Sequence, residues 1–334
     1  MKRNLLLALL ICLALAVGSA ATFWRNRAAS AEDADLLPAL IQACTDSVTS
    51  IKSGKGTVKV HKISYEYDGD NQKPLETDAT YTIAFDGSKY RISGEVLYIK
   101  NEFAAERPVL PGTRLDVNQS FDGETLMRYE ARLGTGKVGP VTVPELKDLH
   151  WSSTSMLIFP PSPLGYGANG HGVHRIDLHP EPSEDTIDKG LKVVRRESLK
   201  GRECIVVERR LERSMSDGKK RVYSLEYWVD PERGTVPRTQ HWVEDSALDK
   251  RSLAGEINVE FRDYGNGVFG PAKYTHEYYT FDGKGGLRRV LNVCETTYET
   301  DFQLNVPIMP NDLTIALPKD ANMHVVDAEG SPEQ

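Results

Sequence analysis

Two periods of apolar and polar residues follow each other along the chain, and they predict one helix followed by a long series of strands. In residues 33–53 apolar side chains recur at spacings of three and four, the pattern of a helix with a single apolar face. This pattern ends at the glycine-containing segment 53–56, and from Thr57 onward the period is two, as in strands with one buried face. The apolar positions of the predicted helix are Leu37, Leu40, Ile41, Cys44, Val48 and Ile51.

Asp-Gly and Asn-Gly dipeptides separate the strand-like runs. These dipeptides readily take the positive φ angles that tight hairpins require, so each one predicts a turn between antiparallel strands. One side of each strand is apolar and the other is polar, which indicates a sheet with one buried face. We therefore predict a mainly β (α+β) fold built on a long antiparallel meander. The dipeptides begin at Asp68, Asp86, Asp122, Asp217, Asn266 and Asp282.

Residues 134–190 depart from this pattern and predict an insertion in the meander. Thr142 and Glu145 stand at the spacing of a capping box, with Pro144 in the first turn, and they predict a short second helix. Proline, glycine and histidine residues fill the segment that follows. A segment of this length is typical of a flap or a functional loop rather than of a hairpin connection.

The N-terminal residues predict export. A basic start at Lys2 and Arg3 is followed by an apolar run and by the small residues 18–20, as in a secretory signal peptide. The apolar stretch extends to Trp24, so an uncleaved anchor in the inner membrane is the alternative. We divide the chain into a signal peptide or anchor with its linker (1–31), a single β-barrel domain (32–327) and a disordered tail (328–334). The expected location is the periplasm or another extracytoplasmic space.

The net charge limits which partners the protein can bind, and the cysteine content limits which disulfides it can form. The chain of 334 residues has a net charge of -7, and its short basic runs, such as Arg195-Arg196, lie beside acidic residues. Nucleic acid is therefore not an expected partner, and we interpret these runs as solvated strand ends. Beyond residue 20 the chain has Cys44, Cys204 and Cys294. Either Cys204 and Cys294 form a disulfide or all of these cysteines are buried free thiols.

The sequence has no recognisable catalytic motif, and we expect neither an enzyme nor a cofactor. The one candidate metal site is the loop with His171, His174, Asp177 and His179, because imidazole and carboxylate groups at this spacing can bind zinc or copper. The alternative for the same residues is a polar surface loop that is rich in histidine.

The hairpin YWVDPERG at residues 227–234, followed by Pro237 and Arg238, resembles a hairpin of the LolA/LolB/LppX-like proteins, which are bacterial periplasmic carriers of lipoproteins and lipids. Asp230 and Pro231 begin its tight turn, and Gly234 ends it. The early helix with residues 56–60, the hairpin at 85–91 and the closing segments 302–318 and 325–327 are similar to the same family in the same order. The resemblance implies a curved, incomplete antiparallel barrel covered by one or two helices, with an apolar cavity between them.

From this resemblance we predict a non-enzymatic protein that holds a lipid, an acyl chain or a lipoprotein in the cavity, with a membrane protein as a further partner. One alternative is a periplasmic lipoprotein sensor similar to RseB-type regulators, and another is a secreted metal-dependent hydrolase at the histidine loop. The same apolar residues could instead pack against the early helix alone. The predicted cavity lining is Tyr223, Leu225, Tyr227, Val229, Ile257, Val259, Phe261, Leu40 and Cys44.

Overall fold

The computed structural model places most of the residues it describes in one β-sheet, which is covered by a helix. The described residues are 26–28, 36–68, 71–87, 89–102, 110–121, 126–132, 137–138, 141–143, 186–214, 220–245, 250–281, 288–315 and 323–325. The α-helix in these segments is α1 (Leu37–Thr49), and a short 3-10 helix spans Pro310–Asp312. Pro38 lies in the first turn of α1, where its missing N–H leaves no hydrogen bond unmade.

Seventeen strands make up the sheet in the described segments. They are β1 (Asn26–Ala28), β2 (Ser53–Asp68), β3 (Asn71–Asp86), β4 (Lys89–Asn101), β5 (Arg114–Phe121), β6 (Leu126–Arg132), β7 (Lys137–Val138), β8 (Val141–Val143), β9 (Thr186–Leu199), β10 (Arg202–Ser214), β11 (Lys220–Asp230), β12 (Thr235–Asp245), β13 (Lys250–Asp263), β14 (Phe269–Phe281), β15 (Arg288–Tyr298), β16 (Gln303–Leu304) and β17 (Met323–Val325).

The sheet is a curved, incomplete barrel. Thirteen strands lie side by side in the order β1, β9, β10, β11, β12, β13, β14, β15, β2, β3, β4, β5 and β6. Each strand is antiparallel to its neighbours in this series. β7 and β8 pair with β6, β16 pairs with β2, and β17 pairs with β8 in parallel. No ladder joins the two ends of this series among the residues described. Six of the long ladders contain register shifts, and such bulges bend a strand and increase its twist.

The predicted meander is confirmed. Each of the six predicted turns lies between two consecutive strands that pair in antiparallel fashion. Asn266 and Gly267 have φ angles of 55° and 74°, as a tight hairpin turn requires. The helix is shorter than the predicted 33–53. At the start of the predicted second helix, Thr142 lies in β8 instead, and the rest of that segment lies outside the described residues.

The predicted disulfide alternative is wrong, because Cys44, Cys204 and Cys294 are all free thiols. Cys204 lies on β10 and Cys294 on β15, so four strands separate them. Five strand spacings amount to about 24 Å along the sheet. The Cα atoms of a disulfide are usually within about 7 Å of each other.

The helix α1 is fixed over the sheet at the β11–β12 turn. Asp230 is buried at this turn and accepts hydrogen bonds from the backbone N–H groups of Glu232 and Arg233 and from the side chain of Arg202. Gly234 follows with a φ of +61°, and a Cβ atom placed there would lie 2.1 Å from the carbonyl oxygen of Ala43 in α1. The backbone of the helix therefore contacts the turn directly, and only glycine fits at position 234.

The C-terminal segment holds the other end of α1. The side chain of Asn305 accepts a hydrogen bond from the N–H of Lys52 and donates one to the carbonyl of Ser50, which follows the helix. The Ser53 hydroxyl donates to the carbonyl of Val306. These bonds connect residues more than 250 positions apart in sequence, so the start and the end of the domain are folded against each other.

Among the described residues, no helix has both the length and the apolar character needed to span a membrane. The predicted signal peptide or anchor and the predicted tail lie outside the described residues, apart from β1, which forms part of the predicted linker.

We predict that Gly234→Ala lowers the free energy of unfolding by about 3 kcal/mol or more, because it adds a steric clash with α1 to the strain of a positive φ. Chemical denaturation in urea measures this. Gly87→Ala is the matched control: its φ is +57° and nothing lies within 4 Å of an added Cβ atom. The control should cost only about 1 kcal/mol. Equal losses in the two variants would show that the helix contact does not constrain position 234.

Candidate ligand cavity

The face of the sheet that α1 covers, which we call the inner face, carries mainly apolar side chains on β10, β11, β13 and β14. Register partners across an antiparallel sheet lie on the same face. Tyr227, Thr239, Ile257 and His276 are successive partners on β11 to β14 and so form one row on this face. The neighbouring row consists of Leu225, His241, Gly255 and Tyr278.

Two apolar clusters lie side by side on the inner face. The first, which we call the helix cluster, joins the buried Leu40 and Cys44 of α1 to strands β10 and β11. Its buried strand residues are Ile205, Val207, Leu225, Tyr227 and Val229. The second, which we call the middle cluster, consists of Ile257, Val259, Phe261 and Tyr274 on β13 and β14.

A small, partly open cavity of about 10 Å³ lies where the two clusters meet. Such a volume holds roughly one water molecule or one group of that size. The cavity is thus far too small for an acyl chain. Its lining residues are Leu225, Thr239, His241, Gly255, Glu256, Ile257, His276 and Tyr278.

The structure brings the predicted lining residues onto one face but packs most of them against each other. Leu40, Cys44, Leu225, Tyr227 and Val229 belong to the helix cluster, and Ile257, Val259 and Phe261 belong to the middle cluster. Tyr223 stacks on His241 with 6.1 Å between ring centroids. Of the nine predicted residues, only Leu225 and Ile257 line the cavity. Burial also raises the pKa of Cys44 to about 12, with Asp230 adding to the effect, so this thiol remains neutral.

The sequence interpretation missed the polar residues of the cavity, above all His241 and His276. Both lie on the apolar side of the alternating pattern: Tyr274, His276 and Tyr278 have the same parity on β14. That parity predicts that both histidines are buried, and a buried histidine needs neighbours that can pair with its ring nitrogens. Neither histidine belongs to a cluster along the sequence, so only the pairing of strands brings the two together.

His276 is a neutral imidazole at the centre of the inner face. Its side chain lies between the rings of Tyr274 and Tyr278, at centroid distances of 6.0 and 3.6 Å. Burial, together with a smaller contribution from the positive charge of Lys62, lowers the pKa of His276 to about 3. Its Nε2 atom is buried and has no hydrogen-bond partner among the described residues.

The outer face of the same strands carries buried ion pairs. Glu226 accepts hydrogen bonds from Arg195 at 2.9 Å and from Arg251 at 2.5 Å, and the guanidinium groups of Arg195 and Arg238 lie 5.2 and 5.0 Å from the ring centroid of Trp228. Arg195 is therefore paired in mid-strand, and our interpretation of it as a solvated strand end is wrong. These contacts satisfy the charges locally, so we assign them to stability.

The candidate metal ligands His171, His174, Asp177 and His179 lie outside the described residues. Within the described segments, no group of three or more histidine, cysteine, aspartate or glutamate side chains is arranged to hold a metal ion.

The fold and cavity together define a helix-covered, curved antiparallel sheet with an apolar inner face. Neither a protein-family model nor a curated protein matches the chain. Among solved structures, the chain is similar to a DUF1329 family protein from Desulfovibrio piger ATCC 29098, with 11% sequence identity and a TM-score of 0.34. The match covers 83% of this chain and 99% of that one. A likeness at this level supports no conclusion about function.

We predict that His276 makes the free energy of unfolding decrease as the pH is lowered. Between pH 6.5 and about 3 the unfolded chain binds a proton at this ring and the folded protein does not, so the free energy of unfolding falls by about 1.4 kcal/mol per unit of decreasing pH. Urea denaturation between pH 6.0 and 4.5 should show a shallower slope for His276→Leu than for the unmodified protein. The control is His61→Leu, at an exposed histidine. Identical slopes in all three proteins would contradict the buried neutral ring.

Proposed function

We propose that this protein is an exported, non-enzymatic binding protein that holds a lipid, an acyl chain or the acyl chains of a lipoprotein between α1 and the inner face. The observation that supports this proposal is the apolar surface of the helix cluster and the middle cluster on one face of the sheet, since α1 contributes residues only to the first cluster. An acyl chain that enters beside α1 would extend this surface without requiring any reactive group.

The energetics favour such a ligand even though α1 must move. Burying a chain of sixteen carbons gains on the order of 12 kcal/mol before the costs of ordering. Exposing a fully buried apolar side chain costs roughly 1.5 to 3 kcal/mol, and α1 inserts two buried side chains, Leu40 and Cys44, into the helix cluster. The ligand therefore offsets the loss of the helix contacts and takes their place on the sheet.

The movement that we propose is a shift of α1 away from β10 and β11 while the glycine turn keeps the helix attached. The contact between Gly234 and Ala43 lies beside the helix cluster and involves backbone atoms, so it can act as a fixed point. The predicted signal peptide supports the exported location. There, membrane lipids and lipoproteins are the accessible ligands, and a membrane protein would deliver or receive them.

We predict that the protein carries its ligand through purification. Native mass spectrometry of protein exported into a bacterial periplasm and purified without detergent should show an added mass that dissociates as a lipid or an acylated peptide. A bare polypeptide mass, together with no binding of the neutral fluorophore N-phenyl-1-naphthylamine, would overturn the proposed function.

We predict that Leu40→Ala speeds ligand entry. The truncation removes the main contact of α1 in the helix cluster, and loosening a lid raises the population of the open state. Stopped-flow fluorescence should show N-phenyl-1-naphthylamine associating at least about threefold faster than with the unmodified protein.

The matched control is Ile92→Ala, which removes a buried aliphatic side chain on β4 from the cluster that includes β2 to β5. Both variants should lose about 2 to 5 kcal/mol of stability, but only Leu40→Ala should change the association rate. A similar increase in both variants would attribute the effect to general loosening and would contradict the role of α1 as a lid.

A further inference from the structure

The surface that lines the cavity is almost entirely apolar, but one histidine at its wall has a ring nitrogen without a hydrogen bond to any described residue. His276 is 5% exposed and lines the cavity, and its Nε2 atom has no hydrogen-bond partner in the described part of the chain. Buried polar groups in folded proteins are almost always hydrogen-bonded, so a buried imidazole nitrogen at the wall of a cavity indicates a missing partner. On this face the missing partner would come from whatever the cavity holds.

The size of the cavity limits what that partner is. A volume of about 10 Å³ accepts a single group of the size of a water molecule. A hydroxyl is small enough to fit, whereas a branched or phosphorylated head group is too large. A hydroxyl also both donates and accepts hydrogen bonds, so it can satisfy Nε2 in either tautomer of the neutral ring.

The charge around the cavity excludes an anionic group. No lysine or arginine is among the lining residues, and the one charged lining residue, Glu256, is itself an anion that pairs with Arg238. Arg209 shares a row with Leu225 but is exposed to solvent, and Lys62 lies two strands away from His276 by way of Cys294. The imidazole is neutral and supplies no positive charge. A buried charge without a partner is costly, whereas an uncharged hydroxyl is not.

We propose that the ligand is a lipid with a single uncharged hydroxyl as its head, of the fatty alcohol class, whose hydroxyl occupies the cavity and hydrogen-bonds to Nε2 of His276. Its chain lies along the inner face between the helix cluster and the middle cluster. This inference rests on the proposed function and specifies the ligand of the same site. His276 is then the residue that distinguishes a hydroxyl head from a purely apolar end.

The test compares 1-decanol with 1-chlorodecane, which has a similar length and shape but no hydroxyl. Each competes with N-phenyl-1-naphthylamine in the unmodified protein, in His276→Leu and in His61→Leu, and the ratio of the two displacement midpoints is recorded. The two compounds differ in hydrophobicity, but this difference is the same for every protein. It therefore cancels when the ratio for a variant is divided by the ratio for the unmodified protein. We expect the preference for decanol to fall about five- to tenfold in His276→Leu and to stay unchanged in His61→Leu.

Three outcomes decide the question. An unchanged ratio in His276→Leu, or tighter binding of decanoate than of decanol at pH 7.5, overturns the hydroxyl proposal while the proposed lipid-binding function stands. No binding of the fluorophore at all overturns the proposed function itself and this inference with it. If His276→Leu does not fold, ¹⁵N NMR of the histidine rings in the unmodified protein decides: decanol should shift the His276 signal and chlorodecane should not, and equal shifts would overturn the proposal.

Discussion

The contact between the backbone of α1 and the β11–β12 turn fixes the geometry on which the rest of the inner face depends. Asp230 shapes the turn through backbone hydrogen bonds, and Gly234 brings it within reach of Ala43. A side chain at either point of contact would hold the helix farther from the sheet. Leu40 and Cys44 could then not reach Val229 and its neighbours, and the helix cluster would lose its cover.

The two faces of the same strands are stabilised by different interactions. On the outer face, charged side chains are buried only with partners, as the pairing of Glu226 with Arg195 and Arg251 shows. A lone buried charge would be strongly destabilising, so this network acts as a unit. On the inner face, apolar packing dominates, and the polar residues Thr239, His241 and His276 lie together at the cavity. The outer network connects β9, β11 and β13 through these ion pairs, independently of the contacts that α1 makes on the inner face.

Much of the fold could be predicted because hairpin turns and alternating strands are local signals. The dipeptides at Asp86 and Asn266 specify their turns through backbone conformation alone, and the alternation of Ile257 and Val259 with polar residues identifies the buried face. The cavity could not be predicted in the same way. It depends on register between strands, which brings His241 of β12 and His276 of β14 to one wall although 35 residues separate them.

The predicted lining residues show a second reason why the site could not be predicted from the sequence. Tyr227 and Val229 are apolar, lie on the correct face and are buried, yet such residues serve equally well as packing for α1 and as contacts for a ligand. Apolar side chains do not distinguish a neighbouring helix from an acyl chain, because the hydrophobic effect is non-directional. A polar atom does distinguish them, since its hydrogen bond has to be made by a particular group. For this reason a single buried histidine says more about the chemistry of the ligand than the larger apolar surface around it.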